Sequence, residues 1–118
     1  MIGVDIVVVD RIARSLEKHG DKFLRRYLSE DEMAMVKKPE TAAGFWAAKE
    51  AVAKALGTGI GEAVGFHDIV ISKTPAGAPR FQLSEGVVER YGIVNTSLSI
   101  AHDGGFAIAV AAIETQKK

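Results

Sequence analysis

Gly44-Phe45-Trp46-Ala47-Ala48-Lys49-Glu50-Ala51-Val52-Ala53-Lys54-Ala55-Leu56-Gly57-Thr58-Gly59-Ile60-Gly61 is the stretch on which the reading of this chain turns. At about 100° per residue, Phe45, Ala48, Val52 and Leu56 fall on one helical face. Gly57 suits the position just past a helix end. The spacing therefore predicts a helix from about Thr41 to Leu56, then the loop Gly57–Gly61. Glu50 and Lys54 are four apart and stand one above the other, away from the apolar face. Ala43 and Ala47 share their side, and such small neighbours leave room for a ligand against the helix. On spacing alone, a surface ion pair worth about 0.3–0.5 kcal/mol is the plainer reading. The glycine loop could wrap an anion with its backbone N–H groups. It lacks the Lys-Ser/Thr of a P-loop, and by itself a helix cap and turn is the plainer reading.

Working outward, Ile2 to Val9 is apolar and β-branched, as a buried strand should be. Asp5 interrupts it. A buried carboxylate needs a cation, a metal or donors, unless it bonds nearby backbone at a strand end. With Glu50 it could hold Mg²⁺, which favours one or two carboxylates completed by waters and substrate phosphates.

Residues 10–27 carry helical periodicity. Arg11, Arg14, Lys18, Lys22 and Arg25 share one face, and Ile12, Leu16, Phe23 and Tyr27 another. Gly20-Asp21 can split the stretch, with Asp21 as the second N-cap. Ser29 and Glu32 form a capping box for a short helix that ends before Pro39. His67–Ser72 and Arg80–Leu83 alternate as strands around the turn Thr74–Pro79, a hairpin. Ser84 caps a helix to Tyr91, closed by Gly92. Asn95–Ala101 and Gly105–Ile113 read as two more strands joined through His102-Asp103-Gly104. The polar tail Glu114–Lys118 is expected to fray. Strands and helices without a βαβ rhythm make this α+β: a mainly antiparallel sheet packed with helices, in one domain over residues 1–118.

Bulk composition narrows the function. The chain has no Cys, so it offers no disulfide, zinc-thiolate site or cysteine nucleophile. Formal net charge is zero, whereas a nucleic-acid binder is usually basic. Met1–Asp10 has no basic n-region, which argues against a signal peptide. The apolar run at residues 106–113 falls far short of the about 20 residues a membrane span needs. A cytoplasmic protein with no nucleic-acid or membrane partner is expected.

Together these pieces resemble the holo-acyl-carrier-protein synthases, the small bacterial type of phosphopantetheinyl transferase. Gly3-Val4-Asp5-Ile6 is similar to that family's Gly-x-Asp-Ile strand, followed by the Arg11-Ile12 helix start. Ala47-Ala48-Lys49-Glu50-Ala51 through Lys54-Ala55-Leu56-Gly57-Thr58-Gly59-Ile60-Gly61 looks like its signature. Gly77-Ala78-Pro79 matches a Gly-x-Pro turn, and Ser99-Ile100-Ala101-His102-Asp103 a Ser-x-x-His element. The likeness runs along the whole chain in order. One departure is Phe45, where the family usually has an Arg.

The resemblance implies transfer of the 4'-phosphopantetheine of coenzyme A to a serine of apo acyl carrier protein, in support of fatty acid biosynthesis. It implies Mg²⁺ on Asp5 and Glu50, and Lys54 on the diphosphate. His102 would contact coenzyme A or orient the attacking hydroxyl. It also implies coenzyme A contacts from Gly57, Thr58, Gly59, Gly61, Pro79 and Ser99, and a homotrimer with active sites between subunits. Acyl carrier proteins are acidic, so the stripe Arg11, Arg14, Lys18, Lys22 and Arg25 would dock one. Two alternatives stand beside this: the same chemistry on a secondary-metabolism carrier, and a non-catalytic coenzyme A-binding module.

Overall fold

The computed structural model describes residues 1–116. β1 (Ile2–Val8) runs directly into α1 (Val9–His19), so the strand ends one residue earlier than expected. α2 (Asp21–Arg25) follows a break at Gly20, whose φ of +57° lies in the left-handed region. The split is as expected, but Gly20 and not Asp21 is the N-cap: Asp21 is already helical. α3 (Glu30–Ala34) carries the expected capping box, with Ser29 Oγ accepting from Glu32 N and Glu32 Oε1 accepting from Ser29 N. α4 (Pro39–Ala55) begins two residues before the predicted start. Pro39 opens that helix because the first turn has no use for its missing N–H.

A 3₁₀ turn at Phe66–Asp68 takes up His67, so β2 (Ile69–Lys73) starts two residues later than the alternation suggested. β3 (Pro79–Leu83) closes the expected hairpin, with Lys73 opposite Pro79. α5 (Glu85–Tyr91) ends at Gly92 in the left-handed conformation. β4 (Ile93–Asp103) and β5 (Phe106–Thr115) are longer than predicted. The turn between them is only Gly104-Gly105, both at positive φ, as a two-residue hairpin requires. His102 and Asp103 are therefore strand residues. Glu114 and Thr115 extend β5 where a frayed tail was expected, and residues 117–118 of that tail lie outside the described residues.

The main sheet is antiparallel with order β1-β5-β4, and β2-β3 forms a second sheet. α4 lies across the inner face of β1 and β5. Gly3 makes this possible: a Cβ there would stand 2.0 Å from the Ala51 carbonyl oxygen. Ala107, Ala109 and Ala111 of β5 keep the facing strand equally thin. The other sheet face carries no helix. Ile2, Val4 and Ile6 of β1 and Phe106, Ile108 and Val110 of β5 are exposed there.

α4 is buried on nearly all sides, because α1 and the β2-β3 sheet pack against it as well. This overturns one expectation: Ala43 and Ala47 are fully buried and line no open surface beside Glu50. Lys49 is buried too. Its ammonium donates to Tyr27 O at 2.6 Å, Glu32 Oε1 at 2.9 Å and Phe66 O at 3.1 Å.

Candidate active site

Asp5 sits on the inner face of β1, in line with Gly3 and Val7, so its carboxylate points at α4. Lys54 Nζ donates to Asp5 Oδ1 at 2.9 Å. The Lys54 side chain is half exposed and that of Asp5 is 13 % exposed. Lys54 thus pairs with an acid far away in sequence, and the ion pairs of the described residues do not include Glu50. Glu50 lies one helical turn before Lys54 and shares with Asp5 a cavity of about 210 Å³, which Arg11, Ser15, Phe23 and Trp46 also line. Burial pushes the Glu50 carboxyl above its ordinary pKa, the Asp5 charge adds to this, and Lys54 partly offsets it. The bond to Asp5 raises Lys54 in turn. A pair of carboxylates lining one cavity, the Asp5 charge raising Glu50, fits a divalent cation. No third His, Cys, Asp or Glu joins them among the described residues. That suits Mg²⁺ completed by water and substrate oxygens, not a metal caged wholly by protein.

A second cavity, of about 150 Å³, lies near the other end of α4. His102, Pro79, Gly77, Thr41, Gly44 and Lys73 line it. His102 Nε2 donates to the Glu40 carbonyl at 2.8 Å, so that nitrogen carries a proton. A Cβ on Gly44 would approach His102 Nε2 and Ile100 Cγ2 to 3.0 Å, so the imidazole rests where α4 has no side chain. Phe45, in the position where an Arg was expected, is buried in the core and brings no charge here.

The expected site residues therefore fall into two groups. From Gly44 to Glu50 the helix rises about 9 Å and turns so that the two lie about 120° apart around the axis. Asp5, Glu50 and Lys54 face one side, and His102 and Pro79 another. Ser99 belongs with neither: it alternates with His102 across the sheet, is paired with Val110, and points to the helix-free face.

The glycine loop does not offer the amide cradle that its composition suggested. Gly57 N bonds to Lys54 O, Thr58 N and Gly59 N to Ala53 O, and Gly61 N to Val64 O. The first two of these bonds are the Schellman closure of α4. What the loop offers is close approach, since Gly57 and Gly59 have positive φ and open space where a Cβ would be.

The basic stripe is real on the surface. Arg11, Arg14, Lys18, Lys22 and Arg25 are all exposed. Arg14 is held by Asp10 at 2.7 Å, and Arg25 lies 3.5 Å from Glu30. Two features escaped the sequence reading. Trp46 stacks on Phe23 at 6.0 Å and forms an apolar wall beside Glu50. Lys49 and Glu32 form a buried pair whose only signal was a Lys adjoining the apolar positions of the helix.

The sequence matches the 4'-phosphopantetheinyl transferase superfamily over residues 1–111. It is 58 % identical to the holo-[acyl-carrier-protein] synthase of a Nitratiruptor species over 113 residues, 96 % of this chain and 97 % of the relative. It is 56 % identical to the enzyme of that name from a Sulfurovum species, with 96 % and 95 % covered. The crystal structure of Helicobacter pylori holo-[acyl-carrier-protein] synthase in complex with coenzyme A superimposes with a TM-score of 0.94 at 45 % identity, covering 97 % of this chain and all of that one. The chain belongs to the 4'-phosphopantetheinyl transferase superfamily, and its full-length relatives within it are holo-[acyl-carrier-protein] synthases.

Proposed function

We propose that this chain transfers the 4'-phosphopantetheine group of coenzyme A to a serine of apo acyl carrier protein, releasing 3',5'-ADP. The carrying observation is a cavity lined by Asp5 and Glu50, with Lys54 bonded to Asp5, in a chain alike over nearly its full length to enzymes of that name. The carrier hydroxyl attacks the phosphorus nearest the pantetheine. A new P–O bond forms as the bond to the bridging oxygen breaks, the hydroxyl proton passes to the Glu50 carboxylate or to water, and 3',5'-ADP departs with the electron pair. Negative charge grows on the leaving phosphate.

Asp5 and Glu50 are the residues that would hold Mg²⁺, which when bound supplies positive charge to the diphosphate. Lys54 brings its own charge to the same group, already oriented by Asp5. Arg11, at the mouth of the same cavity, begins the exposed basic stripe, so a carrier docked on Arg11, Arg14 and Lys18 presents its serine beside Glu50. Such charge complementarity mainly raises the rate of encounter.

His102 and Pro79 lie too far round α4 to complete this cluster within one copy. In our reading they hold the adenosine part of coenzyme A, and copies of the chain associate as a homotrimer so that the two groups meet across an interface. The exposed apolar face of β1 and β5 supports association, since a patch of that kind is seldom left in water. Residues 1–118 then act as one transferase domain, with a cytoplasmic carrier of fatty acid synthesis as substrate. Among the described residues no helix is long and apolar enough to cross a membrane.

The test is incubation with coenzyme A, Mg²⁺ and an apo acyl carrier protein, followed by intact-mass measurement. A gain of one phosphopantetheine per carrier is expected, and none with Glu50→Gln. An unmodified carrier with the wild-type chain overturns the proposal.

A further inference from the structure

α4 packs mainly through small residues, with Phe45, Trp46 and Val52 as its larger apolar contacts. Ala42, Ala43, Ala47, Ala48, Ala51 and Ala53 are all fully buried, and none projects far enough to lock into a neighbour. The Gly3 contact brings β1 against helix backbone, which is a smooth surface. Apolar contacts, those of Phe45, Trp46 and Val52 included, are non-directional, so fixed polar contacts add a directional constraint on rotation about the helix axis. Rotation matters here: a turn of about 10° moves a group at the outer radius of about 5 Å by about 1 Å. Misplacement of that size in a reacting constellation costs on the order of 10²-fold in rate.

Lys49 is the buried side chain of α4 that ends in a charge. Its ammonium, without solvent exposure, is fixed by the Tyr27 carbonyl beyond α2, the Glu32 carboxylate of α3 and the Phe66 carbonyl of the 3₁₀ turn. Glu32 is fixed in turn, accepting from Ser29 N and from Ile71 N of β2, each at 2.7 Å. Five points of the fold thus hold one side chain of α4, directly or through Glu32. The next residue is Glu50, about 100° further round the helix. Stability does not account for this arrangement, because a buried ion pair is often neutral relative to a well-packed apolar pair.

We infer that the Lys49–Glu32 pair is a positioning device: it fixes the rotation of α4 and so sets where Glu50 stands relative to Asp5. This inference rests on the reading of Asp5 and Glu50 as the metal–diphosphate site. Lys49 touches neither substrate nor metal, and acts through its neighbour.

The test replaces both partners at once, since a single change strands a buried charge. In E32Q/K49M the unit is uncharged and close in volume to the original. Glu32→Asp is the second variant: it keeps the charged pair but draws the carboxylate back by one methylene. Each is assayed for thermal unfolding, for kcat and KM with coenzyme A and apo carrier, and for Mn²⁺ binding by electron paramagnetic resonance with coenzyme A present and the carrier absent. The expected result is a cooperative fold, kcat lowered by at least about tenfold in E32Q/K49M and less in Glu32→Asp, weaker Mn²⁺ binding, and an unchanged KM for the carrier. Wild-type kcat and Mn²⁺ binding in whichever variants fold, Glu32→Asp alone included, overturn the inference. Glu50→Gln runs alongside. If it transfers normally, the site reading itself is wrong; if it is inactive while the folded variants behave as wild type, only the positioning role falls.

Discussion

Lys54 Nζ and Asp5 Oδ1 stand 2.9 Å apart, joining the last turn of α4 to the middle of β1 across 49 positions of sequence. The contact ties a strand carboxylate to a helix cation at the edge of the cavity that Glu50 shares. Lys54→Met removes the charge but keeps the length. We expect kcat to fall on the order of 10²–10³-fold, the usual cost of losing one preorganised group at a developing charge, with little change in unfolding temperature because the side chain is half exposed. Steady-state kinetics beside a thermal melt would show it. A rate within about threefold of wild type, far short of that cost, removes Lys54 from the phosphate.

Two glycines give contrasting outcomes. In Gly3→Ala the new methyl meets the Ala51 carbonyl oxygen at 2.0 Å and Ala55 N at 2.5 Å, both helix backbone that cannot turn aside. β1 must leave α4, and a loss of roughly 3 kcal/mol or more is expected, the upper range for overpacking. In Gly44→Ala the obstacle is the His102 ring and the Ile100 methyl, each at 3.0 Å. These side chains can move, so the fold should survive with His102 displaced and the apparent KM for coenzyme A raised. Urea titration separates the first case, and kinetics the second.

Arg14→Glu reverses a charge near the centre of the basic stripe. The apparent KM for the carrier should rise several-fold at low ionic strength and converge on wild type as salt screens the surface. Coenzyme A kinetics should not move. Equal carrier KM values at low salt would leave the stripe as a solvated face.

Asp68 gives the acid limb of the stability curve a named contributor. Its carboxyl is held below its ordinary value of 3.8, first by the Gly65 backbone N–H at 2.8 Å, then by the Ser84 hydroxyl at 2.8 Å. A depressed carboxylate stabilises the fold above its unfolded pKa, and that contribution is lost as pH falls from about 4 through the folded value. Asp68→Asn should therefore be less stable than wild type at pH 7, and the difference should narrow in acid below about pH 4. Chemical denaturation at neutral and acid pH checks the narrowing.

The helix-free face of the main sheet supplies the last prediction. Val4, Ile6 and Ile108 are exposed on it. Sedimentation should report a trimer for the wild-type chain and smaller species for Ile6→Glu, because a charge in an apolar interface is expensive to bury. A wild-type monomer at assay concentrations contradicts the shared-site reading.

Much of this molecule is legible from local rules. The capping box at Ser29 and Glu32, the helix through Glu50 and Lys54, the Gly57 stop and the hairpin around Gly77 all follow from side chains within a few residues of one another. The boundaries that moved did so for local reasons as well. Pro39 was read as a barrier when it opens α4, and Gly104-Gly105 proved sufficient to turn β4 into β5 without His102 and Asp103.

Patterns along the chain suffice for the main helices and strands, the α+β class and, through the resemblance, the residues fit for phosphoryl chemistry. Periodicity and capping act over one or two turns and are written in order along the chain. The partnerships come from packing in three dimensions. That packing paired Lys54 with Asp5 where spacing offered Glu50, buried Lys49 on Glu32, committed the amides of Gly57, Thr58, Gly59 and Gly61 to carbonyls, and set His102 on a different side of α4 from Glu50. The physical reason is that an ion pair or a hydrogen bond forms with whatever group folding brings within about 3 Å. For a helix packed on every side, that group can lie anywhere in the chain.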